Sequence, residues 1–373
     1  MSTAGLHTAS RYAAAPAGRR AGPLDLGTAL LRRLPPNLAH KTAIKALRYG
    51  LLPSRRPRDD AALAIRLWGL DFANPVGMSA GFDKDGEAVD GILGLGFGFA
   101  EAGTVTPLPQ AGNPQPNLFR LEEDRALINR LGFPSCGLPA FTSNLARSHR
   151  RGPGIVGVNV GMNSGSAHPV EDVVAGVTAV APLCDYVVVN VSCPNTPGLS
   201  EWQTPERMAA MVGAAVAARN RAEGPKKPAL LVKLSPDLED GHLAAVAEMA
   251  AQLGVDGLIA TNTTTARPAG LRGGHARETG ALSGPPLFST ATRVLSTLYR
   301  LTEGRISLIG SGGVSSGADA YAKIRAGASL IQLYTALVYG GPGLVGAIKA
   351  SLVAHLRADG FDRLSQAVGA DHR

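Results

Sequence analysis

Eight short apolar runs, each of strand length, recur between residues 74 and 336, covering 74–80, 98–105, 155–161, 186–192, 229–235, 257–263, 307–313 and 330–336. Runs of this length, rich in Val, Ile, Leu and Ala and without alternation, predict strands buried on both faces, as in a parallel sheet. Helical periodicity fills most of the gaps, over 171–180, 205–221, 239–253, 290–301 and 318–326. Strands and helices alternating in this way predict an α/β fold, a (β/α)8 TIM barrel. A short hairpin is expected over 64–72, ahead of the first barrel strand. The long insertion over 107–154 is polar and rich in Pro, which predicts a roof over the catalytic face and not a part of the core.

The chain before the barrel reads differently. Residues 1–22 lack periodicity and are expected to be a disordered tail. They hold no apolar h-region, so they are not read as a secretory signal. Their Arg without acid also fits a transit peptide, and the tail is the preferred reading. Segments 24–34 and 37–50 predict two amphipathic helices, separated by Pro35-Pro36, with Asn37 able to cap the second. The expected organisation is a tail (1–22), a small helical extension (23–58) and a barrel (59–373).

Charge sharpens this division. The 373-residue chain carries a formal +8, yet residues 1–58 hold eleven Lys and Arg against one acid, Asp25. The rest is slightly negative, so the basic character belongs to the extension. Basic amphipathic helices suit an anionic surface, a membrane or a nucleic acid, although two helices packed on the main domain would also account for the pattern. No run of about 18 apolar residues offers a membrane span. The three cysteines, Cys136, Cys184 and Cys193, form no C-x-x-C pair and are read as reduced thiols. The eight histidines show no ligand spacing, so no metal site is expected.

In a barrel the C-terminal strand ends form the site. Here they offer residues 80–84, 104–106, Asn159 and Asn163, Asn190 and Cys193, Lys233, 261–263, 310–313, and Tyr334-Thr335. The set is rich in amides and hydroxyls and has no paired carboxylates and no Ser-His-Asp set. Gly312-Gly313, Tyr334-Thr335 and Ser283-Gly284 suit a phosphate cradle, because glycine lets backbone N–H groups approach an anion. Gly91, Gly94 and Gly96 do not form a dinucleotide fingerprint, since they precede a strand. Lys233 lies within an apolar strand and needs a partner. A flavin ring, which gains negative charge on reduction, would serve; Asp237 or Asp256 would serve structurally. Lys84 could meet a substrate carboxylate or pair with Asp83 or Asp85. Asn129, Asn190, Asn195 and Asn262 could match the N–H and C=O edge of a pyrimidine dione, though a lone Asn more often caps a turn. Cys193 could act as a base on a C–H or be an inert buried thiol. For Cys136 and Cys184 the inert reading is taken.

The motifs Ala80-Gly-Phe-Asp-Lys-Asp-Gly86, Ile128-Asn-Arg-Leu-Gly-Phe133, Val158-Asn-Val-Gly161, Asn190-Val-Ser-Cys-Pro-Asn195, Thr261-Asn-Thr-Thr264 and Gly312-Gly-Val-Ser-Ser-Gly317 together resemble the quinone-dependent (class 2) dihydroorotate dehydrogenases, over about residues 24–350. The resemblance implies an FMN-containing barrel that oxidises dihydroorotate to orotate in pyrimidine biosynthesis. It implies FMN contacts at Ala80, Gly81, Phe82, Asp83, Lys84, Thr104, Asn159, Asn190, Lys233, Thr261, Gly284, Gly313, Tyr334 and Thr335. Dihydroorotate would be held by Lys84, Asn129, Arg130, Leu131, Gly132, Phe133, Asn190, Asn195, Asn262 and Thr263. The base falls on Cys193, with Thr196 and Phe133 on the proton's exit path. The N-terminal helices would admit a membrane quinone near His40 and Arg120. This implies a monomer that binds no nucleic acid, peripheral to a membrane and in contact with its lipids. The expected place is the cytoplasmic face of a bacterial inner membrane, with the mitochondrial inner membrane as the alternative. One residue departs from the pattern. Class 2 members typically carry Ser as base, whereas Cys193 matches the soluble class 1 enzymes, which use fumarate or NAD. The extension and the 110–116 insertion point to class 2.

Overall fold

The computed structural model describes residues 23–52, 58–148, 154–191, 204–224 and 227–373. The expected tail over 1–22 and the segment holding Cys193, Asn195 and Thr196 lie outside the described residues. Helices α1 (Pro23–Arg33) and α2 (Pro36–Arg48) precede a hairpin of β1 (Ile65–Leu67) and β2 (Leu70–Phe72). Then follow β3 (Val76–Met78), α3 (Val89–Gly94), β4 (Phe99–Val105), β5 (Leu118–Leu121), β6 (Ala126–Asn129), α4 (Leu138–Ser148), β7 (Ile155–Val160), α5 (Pro169–Val180), β8 (Tyr186–Asn190) and α6 (Pro205–Arg221). The chain continues through β9 (Ala229–Leu234), α7 (Asp240–Leu253), β10 (Gly257–Ala260), β11 (Ala281–Ser283), α8 (Phe288–Leu301), β12 (Ser307–Gly310), α9 (Gly317–Arg325), β13 (Ala328–Leu333), α10 (Thr335–Gly340), α11 (Leu344–Ala358) and α12 (Leu364–Ala367). Strands β3, β4, β7, β8, β9, β10, β12 and β13 close in that order into a parallel barrel. The expected (β/α)8 TIM barrel is present.

Alternation along each strand sets the layers inside the barrel. The lower inward positions are apolar: Phe99, Ile155, Tyr186, Val188, Leu231, Ile259, Ile309 and Leu330 form one cluster with the hairpin residues Trp68 and Phe72. The rings of Phe72 and Phe99 meet edge to face at 5.6 Å, and Trp68 and Tyr186 lie 6.0 Å apart. The β1–β2 hairpin therefore stoppers the N-terminal mouth. Further along the same strands the inward positions turn polar, at Glu101, Asn159, Asn190, Lys233 and Gln332, all buried. Glycine makes room for the aromatic layer. A Cβ on Gly77 would sit 2.1 Å from the Phe99 ring, and one on Gly157 would sit 2.0 Å from the Tyr186 ring. Gly157→Ala is expected to lower stability by about 3 kcal/mol, an overpacking cost, checked by denaturant unfolding.

The insertion lines the site cavity through residues from Leu118 to Phe133, but it differs from expectation in being partly core. It carries a core of its own, because β5 and β6 pair with β11 and bury Phe119, Leu121, Ala126, Ile128 and Leu282. Phe141 and Leu145 of α4 join the main core. The extension packs on this unit. Arg120 donates to the carbonyls of Arg32 and Leu34 at 2.9 and 2.8 Å, satisfying the end of α1. Asn37 does not cap α2. Pro35 holds that position, Pro36 starts the helix, and the Asn37 amide donates to Asn117 Oδ1 at 3.0 Å. Leu30, Leu38, Tyr49 and Leu51 remain exposed. Among the described residues, no helix is long and apolar enough to cross a membrane.

Candidate active site

The polar layer forms the floor of a cavity at the C-terminal strand ends. Ala80, Gly81, Lys84, Thr104, Asn190, Lys233, Thr261, Gly284, Gly313, Tyr334 and Thr335, all expected cofactor contacts, line it. So do Asn129, Leu131, Gly132, Phe133, Asn262 and Thr263, expected for the substrate. Three of the four asparagines thus converge, and Asn195 is outside the described residues.

Each group has a local cause for its position. Gly284, Gly312 and Gly313 have φ of 99°, 91° and 79°, so only glycine supplies these turns without strain. Ser283 Oγ and Thr335 Oγ1 lie 2.8 Å apart beside them. Phe133 takes a φ of 50°, disfavoured for a residue with a Cβ, and Gln110 Nε2 holds its carbonyl at 2.8 Å. Asn163 is a strut and not a site residue: its amide spans Leu108 and Gln110.

Lys233 is buried by the barrel and donates to Ser79 Oγ at 3.1 Å. Burial pushes its pKa down, and Glu101 opposes that shift from 3.9 Å. Neither expected structural partner reaches it. Asp237 accepts from the Thr265 N–H at 2.9 Å and from Thr264 Oγ1, while Asp256 accepts from Arg219 at 2.7 Å. Burial raises the Cys136 thiol to about 12 and the Cys184 thiol further, which fits inert thiols.

Four comparisons bear on this arrangement. The family model described as dihydroorotate dehydrogenase matches residues 62–356. A protein of Azorhizobium caulinodans named dihydroorotate dehydrogenase (quinone) is 56% identical, covering 91% of this chain and 96% of that protein. The Mus musculus protein named dihydroorotate dehydrogenase (quinone), mitochondrial, is 48% identical over 92% of this chain and 89% of its own. The crystal structure of the Eimeria tenella DHODH in complex with ferulenol superposes with a TM-score of 0.88 at 39% identity, covering 91% of this chain and 96% of that one. The chain belongs to the dihydroorotate dehydrogenase family.

Four expected contacts of this dehydrogenase stand elsewhere. Phe82 turns its ring to His40, 5.5 Å away, and lines a second cavity. Asp83 is buried beneath the 80–88 loop and accepts from the backbone N–H groups of Glu87 and Ala88 at 2.9 and 2.8 Å; burial raises its pKa to about 6. Asn159 lies one shell behind the cavity, accepting from Thr104 Oγ1 at 2.6 Å and from Asn190 Nδ2 at 3.2 Å. Arg130 turns away from the cavity because Glu278 Oε2, at 2.8 Å, and the Phe119 ring, at 4.5 Å, hold its guanidinium. Sequence reasoning missed Ser79 and Gln332, which also line the cavity, and Glu101 below it.

The second cavity of this family member lies between the extension and the barrel. It is mostly apolar, with Leu31, Ala39, Ala43, Leu47 and Val338 in its wall and the expected His40 and Arg120 among its few polar residues. Burial pushes the His40 pKa down to about 4, so its imidazole is neutral near pH 7. Leu118, Leu127 and Tyr334 line both cavities.

Proposed function

We propose that the protein oxidises (S)-dihydroorotate to orotate in pyrimidine biosynthesis, with FMN as cofactor and a membrane quinone as electron acceptor. The observation that carries this reading is the wall shared by a polar cavity and an apolar one. A polar ring system and an apolar acceptor can then approach the same partition from opposite sides. The quinone named for the relatives supports it and disfavours the fumarate- or NAD-linked alternative.

The cavity floor fits FMN. Gln332 Oε1 is buried with no hydrogen-bond partner among the described residues, an acceptor suited to a ring N–H. Lys233 lines the same cavity, and the glycines at 284, 312 and 313 turn the backbone with positive φ at its edge, where a phosphate would lie. FMN would be held by Ala80, Gly81, Thr104, Asn190, Lys233, Thr261, Gly284, Gly313, Tyr334 and Thr335, with Asn159 supporting Thr104 and Asn190 from behind. When bound, FMN would supply the two-electron acceptor for the substrate's hydride and the donor to the quinone. Lys84 would meet the carboxylate of dihydroorotate. Asn129, Asn190, Asn195 and Asn262, with Thr263 and the 131–133 segment, would read its amide edges. Cys193 takes the proton from C5. The C6–H bond gives up its hydrogen with both electrons, and the C5=C6 bond of orotate forms. Thr196 and Phe133 would pass that proton out.

The basic extension, with Leu30 and Leu38 exposed, would rest on a membrane surface, placing the quinone cavity at the lipid; a monomer suffices. The place assigned is the cytoplasmic face of a bacterial inner membrane. The test is flavin absorbance in the purified protein, together with dihydroorotate-dependent quinone reduction. Turnover with fumarate or NAD but not quinone would overturn the reading. Ala43→Trp, which fills the apolar cavity, is expected to cut quinone turnover about ten- to hundred-fold, equivalent to about 1–3 kcal/mol of overpacking. Reduction of the flavin by dihydroorotate should be unchanged in stopped flow.

A further inference from the structure

Glu101 is the carboxylate on which the polar layer converges. Its side chain has no solvent exposure. Asn159 Nδ2 of β7 donates to Oε1 at 2.9 Å. The Tyr186 hydroxyl of β8 and Gln332 Nε2 of β13 donate to Oε2 at 3.4 and 2.5 Å. Lys233 Nζ of β9 lies 3.9 Å from Oε1 and, among the described residues, has no other ion pair. A carboxylate only accepts, so it fixes the direction of the amides around it. Asn159 must turn its NH2 inward, leaving Oδ1 for Thr104 and Asn190. Gln332 must do the same, which leaves its Oε1 buried and without a partner among the described residues. Both Gln332 and Lys233 line the cavity.

We propose that Glu101 is a positioning residue that sets the polarity of the cavity floor, keeping Lys233 a cation and Gln332 an acceptor toward the bound ring. The edge selected is a carbonyl or developing anion beside an N–H, which the pyrimidine end of a flavin presents. This rests on the reading of the cavity as a flavin site. Desolvation drives Lys233 toward its neutral form, and Glu101 is the group that opposes it. A neutral Lys233 would favour the reduced, more negative ring less.

The test is the midpoint potential of the bound flavin, by equilibrium dye titration, in wild type, Glu101→Gln and Glu101→Asp. In Glu101→Gln the preference for reduced over oxidised flavin is expected to fall about tenfold, or about 30 mV for a two-electron couple. Glu101→Asp keeps the charge and should fall less, in the same direction. An unchanged or raised midpoint in Glu101→Gln overturns the inference. If that variant does not fold, Glu101→Asp carries the test, and a midpoint equal to wild type overturns it. A wild-type protein without flavin sinks the reading of the cavity and this inference together. A flavin-loaded wild type with unshifted variants sinks the role of Glu101 alone.

Discussion

Replacing Cys193 with alanine is expected to leave the protein yellow and almost inert. FMN should stay bound while dihydroorotate oxidation slows about 10²–10⁴-fold, the usual contribution of a positioned general base. Apart from Asn190, the proposed FMN contacts come from the ends of β3, β4, β9, β10, β12 and β13 and from Gly284 after β11, and not from the strand that leads to Cys193. Single-turnover reduction of the flavin separates chemistry from the quinone step. Retention of more than a tenth of the rate would remove Cys193 from the mechanism. The companion variant Cys193→Ser restores the base usual in class 2 enzymes. A thiol has a reference pKa of about 8.5, far below that of a hydroxyl, and the base must be deprotonated to act. Activity of the native protein should therefore rise with pH and level off at a lower pH than that of Cys193→Ser. Superimposable pH–rate profiles would refute the argument.

The fold was legible in the sequence because a barrel strand buried on both faces leaves a compositional trace at every position. All eight expected runs hold a barrel strand, and the errors sit at the ends. The run 74–80 shrinks to Val76–Met78, since the residues after it turn into the site loop; the last strand begins at Ala328, because Ala328 and Ser329 are too small and polar to register as an apolar run. The site was legible where a side chain ends a strand and opaque where a contact crosses the barrel. Nearness in sequence offers Lys233 the structural partners Asp237 and Asp256 beside the expected flavin, but the carboxylate that faces it is Glu101, on a barrel strand far back in the chain. One signal could have found it. The inward parity that carries Phe99 into the barrel also carries Glu101, and a charge on that parity in a fully apolar strand requires an opposite one. Arg130 stands apart from the cavity for the opposite reason. It was carried along with a contiguous motif, while adjacent residues of an extended chain point to opposite sides.

The same pairing gives Lys233→Met a twofold effect. Removing one member of a buried pair leaves the other charge uncompensated, which costs about 3–5 kcal/mol. Glu101 keeps its donors from Asn159, Tyr186 and Gln332, but loses its one nearby cation among the described residues. Denaturant unfolding of the flavin-loaded protein should show this loss. Activity should fall separately, by about 10²–10³-fold in flavin reduction, as when a preorganised donor to developing charge is removed. The double variant Glu101→Gln with Lys233→Met divides the two effects. A neutral pair of similar volume leaves no buried charge, so most of the stability should return. The rate should not, because the cation facing the ring is still missing. Recovery of both would make the pair purely structural, and recovery of neither would mean that the introduced thioether side chain disturbs the floor by shape and not by charge.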